Sequence, residues 1–242
     1  MNKQICILLV CLSISLSNTR VAFSRPGSTI RTPGAAHSSY ANQYVVGFGG
    51  EITHLNKFNY AFSNYFKGVT GGGYHYGLSY TVPHEYLEEG VASSPSSTIS
   101  FHLHKQIFKR NNVGINLGLH DLLYTTDGPH RVSLFTSFNY LKNFNNNYKL
   151  ESTLGFGTGS LSYDSHNYNQ STTDTTAANF FIGFRLHTPL MQDRGGINFI
   201  AEYDGCGLNL GASVPLSDAW TINLSITNLG EISKFGEWND NS

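Results

Sequence analysis

The stretch WTINLSIT, residues 220–227, places an apolar or aromatic side chain at every second position and a small polar one between them. Successive residues of a strand point to opposite faces, so this stretch predicts a β-strand with one apolar and one polar face. The same alternation recurs in LNLGASV at 208–214, FFIGFRLH at 180–187 and VGINLGLH at 113–120. The chain is therefore expected to consist of two-faced strands.

The polar faces of these strands carry Gly, Ser, Thr and Asn and few charged residues. A soluble antiparallel sheet would turn charged residues to water. Here Asp, Glu, Lys and Arg make up only 13% of 242 residues, about half the usual share. We therefore expect an all-β protein, an antiparallel transmembrane up-and-down β-barrel of about 10–12 strands, with 12 favoured because bacterial single-chain barrels use even numbers.

Eleven strand candidates are visible between residues 43 and 238, the expected barrel domain. They lie at about 43–54, 57–67, 72–83, 96–108, 112–124, 131–142, 147–163, 177–189, 196–204, 207–215 and 219–229. Either the segment at 57–67 is not a separate strand, or a twelfth strand lies near 231–238. Long connections alternate with short ones, and the long loops of such barrels are extracellular.

The first 24 residues have the pattern of an export signal. Lys3 supplies the positive charge, residues 5–16 form a short apolar run, and small residues allow cleavage after Ser17 or Ser24. Residues 25–42, rich in Pro, Gly and Ser, are expected to form an irregular leader. Export combined with two-faced strands predicts the outer membrane of a Gram-negative-type cell, with outer-membrane lipid and the barrel-assembly machinery as partners.

Composition excludes several other classes of protein. No run of about 20 apolar residues follows the signal, so a helical membrane span is not expected. The net charge of -1 offers no basic surface for nucleic acid. Cys206 is the only cysteine outside the signal, so no internal disulfide can form. The run Gly71–Gly73 lacks the Lys-Ser/Thr pair of a nucleotide-binding loop, and no cofactor is expected.

Two stretches resemble the YjbH-like group of bacterial outer-membrane β-barrels. These are IRTPGAA at 30–36, just before the first strand, and FIAEYDGCGLNLGASVPLSDAWTINLSITNL at 199–229. The resemblance implies a barrel linked with exopolysaccharide production, and polysaccharide as a partner; it supplies no catalytic residues. The C-terminus departs from the usual barrel pattern, because the last strand candidate is followed by GEWNDNS rather than ending on an aromatic residue.

Four histidines are expected to lie together on the polar face. A turn about Asn111 would set His102 opposite His120 and Leu103 opposite Leu119, with His104 one pleat away and His75 approaching from the preceding strand. The cluster has two interpretations. It is a metal or pH-sensitive site, or medium-sized polar side chains that fill the interior. The second is preferred, because no Cys or carboxylate completes a ligand set, and no metal is expected.

Several charged side chains are expected on the polar faces of two neighbouring strands in the C-terminal part of the chain. Glu202 and Asp204 share one strand face, and Arg185 and His187 lie on the preceding strand. Because charges inside a barrel tolerate burial only when they are paired, an Arg185–Glu202 ion pair is the preferred interpretation. A substrate-polarising or hydrolytic pair is the alternative.

Three functional hypotheses follow from the sequence. The first is a non-enzymatic barrel with a roomy, neutral interior, acting as a narrow pore or as an accessory component of exopolysaccharide export. The second is a surface-binding or adhesion barrel that acts through its loops at 84–95 and 164–176. The third is a hydrolase at the barrel rim, which is disfavoured because no motif frames Ser79, His130 or the aspartates as a catalytic set.

Overall fold

The computed structural model describes residues 21–27, 29–34, 43–54, 59–84, 98–125, 132–158, 179–205, 207–217, 219–227 and 229. Eleven strands form one antiparallel sheet, in which every strand pairs with the next along the chain. The strands are β1 (Gln43–His54), β2 (Asn59–Val69), β3 (Tyr74–His84), β4 (Thr98–Arg110), β5 (Val113–Thr125), β6 (Ser133–Asn143), β7 (Lys149–Gly157), β8 (Asn179–His187), β9 (Asn198–Tyr203), β10 (Leu208–Ser217) and β11 (Trp220–Ile226). Short 3-10 turns occupy Asn145–Asn147 and Gln192–Arg194.

The predicted all-β, antiparallel architecture is confirmed, and each of the eleven strand candidates is a strand. The segment predicted at about 57–67 is a separate strand, β2. The predicted twelfth strand near 231–238 lies outside the described residues. The same is true of nearly all residues of the loops at 84–95 and 164–176, which were considered for binding.

The two faces of the sheet are inverted relative to a soluble protein. The outer face, as we call the exposed one, carries large apolar side chains such as Ile222, Leu224 and Ile226, which are 44%, 61% and 57% exposed. The inner face buries polar groups. Its buried side chains include Ser63, His75, Ser79, Thr81, Ser100, His102, His104, Asn116, His120, Ser137, Asn139, Glu151, Thr153, Glu202 and Asn209. The predicted alternation of apolar and polar faces is therefore present, with the polar face inside.

The connections fall on two edges of the sheet. One, the short-turn edge, carries the turns after β2, β4, β6, β8 and β10; the other, the long-loop edge, carries the connections after β1, β3, β5, β7 and β9. The expected alternation of long and short connections holds with three exceptions. The connection between His187 and Asn198 is long for its edge, and those between His54 and Asn59 and between Tyr203 and Leu208 are short.

The register between β4 and β5 combines a correct prediction with two irregularities. Leu103 pairs with Leu119 as expected, but the register shifts between Phe101 and Leu103 and again between Gln106 and Phe108. A β-bulge at Asp121, which has φ +58°, accounts for the first shift. As a result, the adjacent residues His120 and Asp121 are both buried, although a regular strand would turn one of them outward.

Candidate functional site

Residues 21–27 and 29–34, called the inserted segment below, lie against the inner face of the sheet. The segment is irregular, as predicted for the leader, because prolines and a Gly27 with φ +65° interrupt any regular element. It folds on itself through the bond from Phe23 N–H to the Ile30 carbonyl, 2.7 Å long. Residues 21–24, which the sequence assigned to the export signal, are buried in this packing.

Glycines of the sheet make the space that the inserted segment occupies. A Cβ atom added at Gly77 would lie 2.9 Å from Pro26 Cδ, and one at Gly211 would lie 2.9 Å from Ile30 Cδ1. A Cβ atom at Gly183 would lie 3.2 Å from Thr32 Oγ1. These distances are too short for ordinary contacts, so the inner face is shaped to this segment.

The carboxylate of Glu202 is the main polar anchor of the segment. Its Oε1 accepts the N–H of Arg31 at 2.7 Å, and its Oε2 accepts the N–H groups of Ile30 at 2.9 Å and Thr32 at 3.3 Å. The hydroxyls of Thr29 and Thr32 also donate to Oε2, and Asn209 Nδ2 donates to Oε1. Three successive backbone N–H groups thus form an anion-binding concavity around a carboxylate of the sheet.

Two arginines of the segment pair with aspartates of the sheet. Arg25 forms a two-pronged contact with Asp121, from Nε to Oδ1 at 3.1 Å and from Nη2 to Oδ2 at 2.5 Å. Arg31 Nη1 lies 3.6 Å from Asp204 Oδ2. All four side chains are buried, which such charges tolerate only when paired. The interior of the described sheet is therefore filled and charged, and the expectation of a roomy, neutral interior is wrong.

The segment reaches both ends of the sheet. Val21 packs at Gly49 on β1, where a Cβ atom would lie 3.2 Å from Val21 Cγ1. Arg31 Nη2 donates to Thr227 Oγ1, just after β11, at 3.5 Å. Since the segment has only 14 positions, the first and last strands must curve toward one another around it.

The two stretches that carry the YjbH-like resemblance contact each other. Ile30, Arg31 and Thr32 belong to the first stretch, and Glu202 and Asp204 to the second. Their hydrogen bonds join the chain's leader to β9. The sequence motif before the first strand is thus one half of an interior contact.

The predicted Arg185–Glu202 ion pair is wrong, because these two residues do not face one another in the sheet. The register places Gly183 opposite Glu202 and Ile200 opposite Arg185. Arg185 Nη1 lies 3.7 Å from Glu151 Oε2 on β7, and His187 Nε2 lies at the same distance from that oxygen. Glu202 binds the inserted segment, which the sequence analysis did not place inside the sheet.

The four histidines considered as a cluster do lie together on the inner face. The rings of His75 and His104 stack with centroids 4.3 Å apart, and His102 Nδ1 lies 3.2 Å from His120 Nδ1. Gly27 packs on this cluster, since a Cβ atom there would lie 2.6 Å from His104 Cε1. The histidines therefore form part of the inner surface that the inserted segment contacts.

His102 also contacts a serine and an aspartate, the residue types of a hydrolytic triad. Its Nε2 lies 2.9 Å from Ser79 Oγ, and its Nδ1 lies 3.8 Å from Asp121 Oδ1. However, Nδ1 accepts the backbone N–H of Asp121 at 3.3 Å, so the proton sits on Nε2 and is donated to Ser79. A general base toward serine needs the opposite tautomer. The geometry supports a structural hydrogen bond.

The described residues contain no group of three or more His, Cys, Asp or Glu side chains arranged to hold a metal ion. None of the described segments is a helix long and apolar enough to cross a membrane.

No protein-family model, no curated protein and no solved structure matches the chain.

Sequence reasoning did not identify Arg25, Arg31 and Asp121 as site residues. The leader's prolines and glycines predicted irregular structure, and irregular segments usually lie on the surface. A carboxylate at a bulge has no sequence signal of its own, because the bulge depends on the register of two strands. The signal available in the sequence was the pair of stretches that resemble the YjbH-like group, because residues of one stretch contact residues of the other in the structure.

Proposed function

We propose that this chain is an outer-membrane β-barrel whose interior is closed to solutes by its own N-terminal segment. One observation carries the proposal: the outer face is apolar, whereas the inner face is mostly polar, with a few buried apolar side chains such as Phe135 and Phe181. Monomeric soluble proteins rarely expose a continuous apolar surface beyond a few hundred Å², whereas a membrane barrel requires one. The outer face would lie in lipid.

Closure of the sheet into a barrel is part of this proposal. Two contacts support it, since the inserted segment touches β1 at Gly49 and the end of β11 at Thr227. In a meander, β1 and β11 run in the same direction, so a twelfth strand between them would restore antiparallel pairing on both sides. The segment near 231–238 is the candidate for that strand.

Aromatic side chains on the short-turn edge support membrane insertion. Tyr44, Tyr74, Tyr140 and Trp220 lie near this edge and are 72%, 42%, 47% and 71% exposed. Tyr and Trp concentrate where a membrane protein crosses the lipid–water boundary. By loop length, this edge would face the periplasm and the long-loop edge the cell exterior.

The filled interior favours an accessory role over a conduit for a polymer. A polysaccharide would have to displace the inserted segment together with its buried ion pairs. Within exopolysaccharide export, which the YjbH-like resemblance implies, the protein would therefore assist the pathway and would bind outer-membrane lipid and the barrel-assembly machinery.

The proposal is tested by membrane insertion of the purified chain. In a Trp238→Phe variant, Trp220 reports its own surroundings, and brominated lipid should quench its fluorescence. The folded protein should need detergent and migrate differently on gels before and after heating. Recovery as a monodisperse protein from a detergent-free periplasmic extract would refute membrane insertion.

A further inference from the structure

The inserted segment is held in the sheet as a ligand is held in its site. It is not one of the strands of the sheet. It is bound by shape, at Gly77, Gly183 and Gly211, and by charge, at Glu202 and Asp121. Residues 35–42 join it to β1, so it can leave its site without breaking the pairing of any strand to its neighbour.

The charges of the segment balance those of the inner face. The buried and half-buried charged side chains of the described inner face are four carboxylates and two cations: Asp121, Glu151, Glu202, Asp204, Lys67 and Arg185. Arg25 and Arg31 of the segment supply the two missing positive charges, and their guanidinium groups lie beside two of these carboxylates, Asp121 and Asp204. Removal of the segment would leave an interior with excess negative charge.

We propose that the inserted segment is a displaceable plug, latched mainly by Glu202, and that its release opens a cation-selective path along the inner face. The proposal rests on the proposed barrel. The latch is concentrated on one side chain, because three backbone N–H groups and two hydroxyls of the segment converge on the Glu202 carboxylate. Small polar cations are the solutes that the exposed carboxylates would favour.

The substitution Glu202→Gln tests the latch. It keeps the size of the side chain but turns an NH2 group toward backbone N–H donors, and it removes the charge that binds them. Glu151→Gln is the matched control, because Glu151 is also a buried inner-face carboxylate but lies beside Arg185 and His187 of the sheet. In planar bilayers with KCl, the full chain should conduct rarely. Glu202→Gln should raise the conducting fraction of time at least tenfold, and Glu151→Gln should not.

A second variant keeps every carboxylate and displaces the inserted segment by adding side-chain volume. Gly183→Val adds a side chain where Thr29 and Thr32 now pack, so the segment should be displaced sterically. This variant should also conduct, and a KCl gradient across the bilayer should give a reversal potential that favours K⁺ over Cl⁻.

A disulfide can lock the segment in place. Val21 Cγ1 lies 3.2 Å from a Cβ atom built at Gly49, close to the separation between a sulfur and the opposite Cβ of a disulfide. In a Cys206→Ser background, Val21→Cys with Gly49→Cys should abolish the conductance of Glu202→Gln when oxidised and restore it on reduction, because Glu202→Gln leaves the space of the segment unchanged.

The outcomes separate this inference from the proposed function. If the original protein neither inserts into bilayers nor shows heat-modifiable migration, the barrel proposal fails. If Glu202→Gln and Gly183→Val insert and fold but conduct no more than the original protein, the plug proposal is overturned and the barrel stands. Conductance without preference for K⁺, or unaffected by the disulfide, would equally overturn it.

Discussion

Ile30 and Glu202 are 172 positions apart in the chain, yet the N–H of Ile30 donates to Oε2 of Glu202 over 2.9 Å. This bond joins an irregular leader to the ninth strand of an eleven-stranded sheet. It belongs to a group of bonds in which Arg31 and Thr32 donate to the same carboxylate. Because these donors are buried, they have no water to replace Glu202, and the inserted segment is held against the inner face of the sheet.

Breaking the Arg25–Asp121 pair should expose the inserted segment to protease. Asp121→Asn leaves the Arg25 guanidinium buried without its full counter-charge, which costs about 3–5 kcal/mol. Trypsin should then cut the Arg31–Thr32 bond at least tenfold faster than in the original protein, measured by mass spectrometry of the folded, vesicle-inserted chain.

A double variant supplies the control for that experiment. Arg25→Met combined with Asp121→Asn removes both charges, so protection should return in part, by the logic of a double-mutant cycle. Equal cleavage rates in the original protein and in Asp121→Asn would mean that the pair does not hold the segment.

Charge placed on the two faces should have unequal effects. Leu224→Arg puts a cation on the outer face, which costs about 2–4 kcal/mol near the middle of a bilayer. Asn223→Arg, its neighbour on the inner face, should cost less, although it loses the 2.6 Å bond between Asn223 Oδ1 and Ser213. Urea unfolding from lipid vesicles measures both. Similar losses from the two substitutions would contradict the assignment of the faces.

The histidine cluster should not respond to metal. His102 bonds to Ser79, and no described cluster is arranged as a metal site, so micromolar zinc should leave the unfolding midpoint unchanged. Replacing His102 and His120 by Gln should cost about 1–2 kcal/mol through lost hydrogen bonds. A zinc-dependent rise in the midpoint that vanishes in the double variant would reveal a metal site, since a ligand of the folded state stabilises it.

The mature N-terminus should begin before the buried residues of the segment. Cleavage of the predicted signal after Ser17 retains Phe23, whose carbonyl accepts a 2.9 Å bond from Lys67 Nζ. Cleavage after Ser24 would remove it. The intact mass of the exported protein should therefore correspond to a chain starting at Asn18. A chain starting at Arg25 would show that the segment is held without residues 21–24.

The strands could be predicted with good accuracy because their information is local. Trp220, Ile222 and Leu224 are apolar side chains at every second position, so they identify the apolar face of their strand. This period of two can be recognised without information from the rest of the chain. The pairing of Leu103 with Leu119 was predictable from the apolar face of each strand, since a slip of one residue would turn one of the two leucines to the polar face. The turn alone would not give this pairing, because the register shifts between Gln106 and Phe108. The bulge at Asp121 could not be predicted, because the sequence of one strand does not show where its pairing with the neighbouring strand shifts.

Local sequence patterns were sufficient to predict the all-β class, the strand candidates and the side chains that share a face. What occupies the space at the inner face of the sheet depends on the folding of the whole chain. A leader of Pro, Gly, Ser and Thr carries no periodic signal, and its position depends on where distant groups offer it partners. Gly183, Gly211 and Glu202 become a site for residues 29–32 once the sheet curves, because only then do their space and charge converge.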